Sequence, residues 1–220
     1  MDLTDEYIVC LKNQFKIDEV LDSIDYSFVE ILGQGGQGVV VLTNDSTGMK
    51  KAVKIMKLPT SGGHANTVKI ERLKNDIDFC SQFNHENIIQ YQLHGEYPND
   101  GQRAKFLYAV MDYFPKNLRD VIGESESYSP QQRFNFLIQL SKAISYAHNK
   151  GIIHRDIKPE NILIKDNTLV LTDFGIAHFK DSNLTQDNDL LNNRNYLAPE
   201  QKNRGNATTI TGAADVFALG

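Results

Sequence analysis

The 220-residue chain has no tryptophan, two cysteines, six prolines and no excess of positive charge. Cys10 and Cys80 stand far apart, without a Cys-x-x-Cys pair or a histidine cluster nearby, so neither a disulfide framework nor a zinc site is indicated. The low proline count beside 15 glycines leaves no room for a fibrous or low-complexity design. Lys and Arg total 23 against 28 for Asp and Glu, a net charge of −5, which argues against a basic nucleic-acid platform. No apolar run approaches the ~20 residues of a membrane span, and the opening Met-Asp-Leu-Thr-Asp-Glu is acidic where a signal or transit peptide is basic. The expectation is a soluble, cytoplasmic protein with neither membrane nor nucleic acid as partner. The Asn-x-Ser/Thr matches at Asn44, Asn183 and Asn206 read as chance.

Hydrophobic residues make up 40% of the chain, enough to fold one large domain or two small lobes. The first 24 or so residues place Tyr7, Ile8, Leu11, Phe15, Val20, Leu21 and Ile24 at loosely helical spacing, which reads as a short leader helix packing on the main domain. From Tyr26 to Met56 the texture turns to β, with strands predicted at Phe28 to Leu32, Val39 to Leu42 and Lys51 to Met56 between glycine-rich and polar breaks. Ile70, Leu73, Ile77 and Cys80 then predict a helix. Apolar segments follow at Ile88 to Leu93 and Phe106 to Met111. The run from Ser129 to Lys150 predicts a long helix, with Ser129 as N-cap, Pro130 at the first position, Gly151 as the stop and a buried stripe of Phe134, Leu137, Leu140, Ile144 and Ala147. Short strand-like pieces at Ile152-Ile153, Ile162 to Ile164 and Leu169 to Leu171 come next, then a polar, Asn-rich stretch from Lys180 to Asn195.

Gly33-Gln34-Gly35-Gly36-Gln37-Gly38-Val39-Val40 follows one predicted strand and enters another. Glycines there let backbone amides approach phosphate without interference from Cβ atoms, although a glycine-rich hairpin with no ligand fits the same residues. The next strand carries Ala52-Val53-Lys54, whose ammonium can pair with phosphate or simply face solvent. The series continues through His154-Arg155-Asp156-Ile157-Lys158-Pro159-Glu160-Asn161, Asp173-Phe174-Gly175, Ala198-Pro199-Glu200 and Asp215-Val216-Phe217-Ala218-Leu219-Gly220. In their order and spacing these motifs resemble the eukaryotic protein kinases, over about residues 26 to 220.

The resemblance implies an α+β, bilobal fold: a small β-rich N-lobe over 26–112, a hinge at 112–117 and a helical C-lobe over 118–220, with 1–25 as leader. It implies ATP and Mg²⁺ as cofactors and transfer of the γ-phosphoryl group to a protein hydroxyl. Such transfer depends on charge neutralisation and alignment rather than on covalent help, so each motif supplies a cation, a metal ligand or a positioned acceptor. By the family pattern Asp156 orients the substrate hydroxyl, Lys158 stabilises charge on the transferred group, and Asn161 and Asp173 hold Mg²⁺ through hard oxygens. Gly33, Gly35 and Gly38 cover the phosphates with Lys54 beneath them; Val40, Ala52 and Leu163 sandwich the adenine. Met111 closes the back of its pocket, and the backbones of Asp112 and Phe114 meet the base edge. Lys158 in this motif is the serine/threonine-kinase form, so protein Ser or Thr hydroxyls are the implied acceptors. Arg155 implies control by a phosphate on the activation segment, added by an upstream kinase, with Ser182 and Thr185 as candidates.

Three departures stand out. The helix partner of the lysine at Lys54 is normally glutamate, but the family spacing lands on Asp76, about 60° from Leu73 at about 100° per residue. Its carboxylate is one methylene short, about 1.5 Å. Asn192-Asn193-Arg194-Asn195-Tyr196 stands where the family usually has Gly-Thr-x-x-Tyr, and Asn193 replaces a hydroxyl with an amide; Gln37 is a minor change at the glycine-loop tip. Finally, the family continues past Asp215 with more helices and with an Arg for Glu200, so the C-lobe is expected to be cut short within its central helix. The rival expectation is a non-catalytic kinase-like binding module or an inactive fragment.

Overall fold

The computed structural model describes residues 3–36, 38–60, 64–82, 84–122, 128–174, 195–202 and 210–220. Two compact units emerge, Met1–Ile77 with Gln90–Tyr113, and Asp78–Ile89 with Phe114–Gly220.

The first unit opens with helices α1 (Leu3–Phe15) and α2 (Ile17–Asp22) and continues into strands β1 (Ser27–Gly35), β2 (Gly38–Asn44) and β3 (Lys50–Lys57). Helix α3 (His64–Gln82) begins in this unit, and β4 (Leu93–Tyr97) and β5 (Phe106–Asp112) complete it. The sheet order is β1-β2-β3-β5-β4, antiparallel throughout. The β2–β3 hairpin turns where Asp45 Oδ1 accepts the N–H groups of Thr47 and Met49, both at 2.9 Å, and Gly48 adopts φ 83°.

Register sorts the strand residues onto two faces, because directly opposed residues of an antiparallel pair project to the same side. Val40 faces Lys54, Lys54 faces Ala109, and Ala52 faces both Leu42 and Met111, so these six share one face. The alternate residues Val39, Val41, Val53, Ile55, Phe106, Tyr108 and Val110 form the other face, and Leu11, Phe15, Ile17, Val20 and Leu21 of the leader are buried in the same cluster.

The leader is two helices rather than one. Lys16 takes a left-handed conformation, φ 53°, between them. In a continuous helix Phe15 and Ile17 would point about 200° apart; the break lets both be buried, at 4% and 0% exposure. The apolar segment Ile88 to Leu93 is also not a strand. Ile88 makes an isolated bridge to Leu171, and pairing with β5 begins at Leu93. Apolar composition there reflects burial of Ile88, Ile89 and Tyr91 rather than strand geometry.

The second unit holds β6 (Lys116–Asn117), α4 (Leu118–Ile122), α5 (Pro130–Asn149), a 3₁₀ turn (Pro159–Asn161), β7 (Ile162–Lys165), β8 (Thr168–Leu171), α6 (Pro199–Lys202) and α7 (Ala213–Leu219). Strands β6, β7 and β8 form a second antiparallel sheet. Helix α5 starts with a complete capping box: Gln132 N–H donates to Ser129 Oγ, and Ser129 N–H to Gln132 Oε1. Its buried stripe is Phe136, Leu140, Ala143, Ile144 and Ala147. Phe134 and Leu137, expected inside, are 58% and 44% exposed. The helix is apolar on more than one side, and the side facing β8 is the one that is buried. Ile152-Ile153 lies outside any strand. Among the described residues no helix is long and apolar enough to cross a membrane.

Candidate active site

In the second unit, residues 152–158 run without regular structure into the 3₁₀ turn, so their backbone N–H groups need partners from elsewhere. Asp215 of α7 supplies them. Its Oδ2 accepts the His154 N–H at 2.8 Å, its Oδ1 accepts the Arg155 N–H at 2.7 Å, and His148 Nε2 of α5 donates to Oδ2 at 2.8 Å. Asp215 is buried, so this carboxylate is compensated by hydrogen bonds rather than by water. The brace holds Arg155 at φ 68°, a conformation that an L-residue adopts only when its surroundings enforce it.

His154 joins that segment to the strand-end residues 172–174. Its Nδ1 accepts the Asp156 N–H at 3.3 Å and its Nε2 donates to Thr172 O at 2.9 Å, which defines a neutral ring protonated at Nε2. Complete burial pushes its pKa below the usual 6.5, against the opposing pull of Asp215. Phe174 packs on the imidazole with ring centroids 4.7 Å apart, and on Phe79 at 5.7 Å.

Asp156 emerges from this frame. Lys158 Nζ lies 2.9 Å from its Oδ2, and Asn161 Nδ2 donates both to that oxygen, at 3.0 Å, and to the Asp156 carbonyl, at 2.8 Å. With its NH₂ group committed to Asp156, the Asn161 amide turns its oxygen the other way. Thr172 N–H donates to Asn161 O at 3.0 Å, tying Asn161 to the segment that presents Asp173. Asp173 is itself left-handed, φ 57°. The structure therefore ties Asp156, Lys158 and Asn161 into one framework, and Asp173 follows directly on Thr172, which is bonded to it. An amide oxygen and a carboxylate form a hard donor set that suits Mg²⁺.

The first unit presents the other set. Lys54 and Asp76 are both buried, with Lys54 Nζ 3.8 Å from Asp76 Oδ2. Lys54 shares a sheet face with Val40, Ala52 and Met111; Gly33 pairs with Val40 across β1 and β2, and Gly35 with Gly38. At Gly38 an added Cβ would collide with the Ile55 carbonyl oxygen, so the hairpin admits no side chain there. Asp112, at the end of β5, accepts from Lys51 Nζ at 2.7 Å and from Gln92 Nε2 at 2.9 Å. Phe114 and Leu163 belong to the second unit, where Leu163 pairs with Asn117 and Val170.

Several contributors were not legible in the sequence. His148 serves Asp215 from a helix whose sequence marks it only as a polar position. Arg119 Nε donates to Glu160 at 2.8 Å and its guanidinium lies 5.9 Å from the Tyr196 ring centroid, fastening α4 to the 3₁₀ turn. Gln201 Nε2 donates to Arg155 O at 2.8 Å, linking α6 to the same loop. Burial pushes the Arg155 guanidinium down to about 10, against Asp215, and it stays charged at neutral pH. Gln37, Gly175, Ser182, Thr185 and Asn193 lie outside the described residues.

Comparison with known proteins agrees with this geometry. The protein kinase domain family matches residues 26–220. The serine/threonine-protein kinase PrkC of Bacillus subtilis is 33% identical over 201 residues, covering 89% of this chain and 29% of that protein. A probable serine/threonine-protein kinase PknB of Bifidobacterium longum is 31% identical over 204 residues, with 89% and 29% covered. The calcium/calmodulin-dependent protein kinase type 1 of Caenorhabditis briggsae is 31% identical over 196 residues, with 84% and 51% covered. The chain thus spans under a third of the bacterial relatives and about half of the nematode one. From Tyr26 to Gly220, carrying an α+β kinase fold and the Asp156 framework, this chain belongs to the protein kinase family.

Proposed function

We propose that the chain carries a serine/threonine protein kinase domain that transfers the γ-phosphoryl group of ATP to Ser or Thr hydroxyls of protein substrates. The observation that carries this reading is the Asp156 carboxylate fixed by Lys158 at 2.9 Å and Asn161 at 3.0 Å, on a backbone braced by Asp215. Asp156 accepts the hydrogen of the incoming hydroxyl and points its oxygen at the γ-phosphorus. As that P–O bond forms, the bond from phosphorus to the β–γ bridging oxygen breaks, ADP leaves, and the hydroxyl proton is released on the Asp156 side. Lys158 balances charge on the moving group. Mg²⁺, held by Asn161 and Asp173, would neutralise the phosphate oxygens when bound.

In the first unit Gly33, Gly35 and Gly38 present backbone amides to phosphate, Lys54 pairs with phosphate oxygens, and Asp76 orients Lys54. Val40, Ala52 and Met111 contribute apolar contact to adenine. The backbones of Asp112 and Phe114 read the base edge. Control by an upstream kinase acting on Ser182 or Thr185 belongs to the same reading, as does a cytoplasmic site of action, where ATP is available.

The test is phosphotransfer from labelled ATP to Ser-, Thr- and Tyr-containing peptides, wild type beside Asp156→Asn. Loss of an acid–base group lowers the rate by about 10²–10⁴-fold. Transfer to Ser and Thr that vanishes in the variant is expected. Equal behaviour of the two proteins would leave the non-catalytic binding module as the better reading.

A further inference from the structure

Residues 3–25 precede the matched family region, yet they supply five buried members of the core under the first sheet. They cover the face opposite Val40, Ala52, Lys54 and Met111. Tyr7, Leu11 and Phe15 follow one another at intervals of four, so they line one stripe of α1. Leu11 and Phe15 anchor that stripe at 2% and 4% exposure. Tyr7, one turn before them, is 53% exposed, and its hydroxyl donates to Gln34 Oε1 at 2.8 Å. Gln34 stands between Gly33 and Gly35 in the glycine-rich hairpin, opposite Val39.

We propose that the leader helices position the glycine-rich hairpin, and that Tyr7 is the positioning residue through which they act. The hairpin needs such a tie. Cβ atoms built at Gly33 and Gly35 would meet nothing within 4 Å, so no neighbouring group packs closely there. Glycine also leaves the unrestrained backbone more conformations to lose when it closes on a ligand. Among the described residues, Tyr7 is the side chain that hydrogen-bonds residues 33–36. Lys12 secures the helix to the same strand, its Nζ 3.9 Å from the Phe28 ring centroid, and also pairs with Asp18 of α2 at 2.9 Å. The tie is a neutral hydrogen bond across an anchored helix, so it restrains the hairpin without entering it. Its consequence for nucleotide affinity rests on the reading of this hairpin as the phosphate-binding element.

The decisive variant is Tyr7→Phe, which keeps the ring and removes only the hydroxyl. Hydrogen–deuterium exchange of the ligand-free protein is followed at the amides of residues 33–36, and KM for ATP and kcat are measured in parallel. The expected result is exchange about two- to fivefold faster at these amides, a KM for ATP raised by a similar factor and an unchanged kcat. Gln34→Leu should reproduce the effect, and the double variant should be no worse than either single one. Unchanged exchange in Tyr7→Phe would overturn the proposal, as would fully additive effects. If wild type fails to bind ATP while Tyr7→Phe still speeds exchange, the positioning role stands and the nucleotide reading of the hairpin falls.

Discussion

Lys54 Nζ lies 3.8 Å from Asp76 Oδ2, and each side chain is only 6% exposed. That separation is long for a charge-assisted hydrogen bond, which closes to about 2.7–2.9 Å, and the shortfall is within the roughly 1.5 Å that the missing methylene of aspartate would span. Asp76→Glu should therefore tighten the pair and raise ATP affinity about two- to tenfold, measured by the nucleotide-dependent rise in melting temperature. Asp76→Asn removes the charge beside a buried ammonium and should destabilise the protein by about 3 kcal/mol. A glutamate variant that folds but binds ATP no better would count against the pairing of these two residues in catalysis.

Asp215 accepts from two backbone N–H groups and one imidazole, all within 2.8 Å. Asp215→Ala strands these donors and should cost about 2–5 kcal/mol in denaturant unfolding, with Asp215→Asn intermediate because one acceptor oxygen survives. Both variants should also lower phosphotransfer, since Arg155 loses the brace on its left-handed backbone.

Acid should weaken the fold through His154. Its folded-state pKa is pushed below the usual 6.5 by burial, so between the two values the unfolded chain binds more protons than the native one. This contribution to stability is fully present above pH 6.5 and is lost as pH falls from 6.5 towards the folded-state value. Stability curves for wild type and His154→Gln, measured across that range, should converge on acidification. Parallel curves would show that His154 does not titrate in this way.

Gly38→Ala drives a Cβ into the Ile55 carbonyl oxygen. The β1–β2 hairpin must shift, and a loss of about 1–3 kcal/mol is expected. ATP affinity should fall further than at Gly33→Ala, where a Cβ has open space.

Helix α5 was legible because its start is written locally: Ser129, Pro130 and Gln132 form the cap without help from the rest of the fold. Which of its apolar residues are buried was not, since Phe134 and Phe136 are equally apolar and only the neighbouring β8 selects between them. The same distinction separates the two ends of the leader. Its apolar spacing announced helix, but the left-handed break at Lys16 is imposed by the need to bury both Phe15 and Ile17 against one sheet face.

Sequence by itself determined the chemical identities of the proposed site: the glycines of the hairpin, Lys54, Asp156, Lys158, Asn161 and Asp173 are set by motif, because each proposed role demands a particular functional group. Tertiary structure decided their settings. Asp76 meets Lys54 because a helix and a strand distant in sequence lie together, and His148 serves Asp215 because α5 and α7 converge. Tyr7 reaches Gln34 across 27 positions of sequence for the same reason. Such pairings arise from packing of whole elements; family spacing pointed to Asp76, whereas no local pattern of residues encodes the other two.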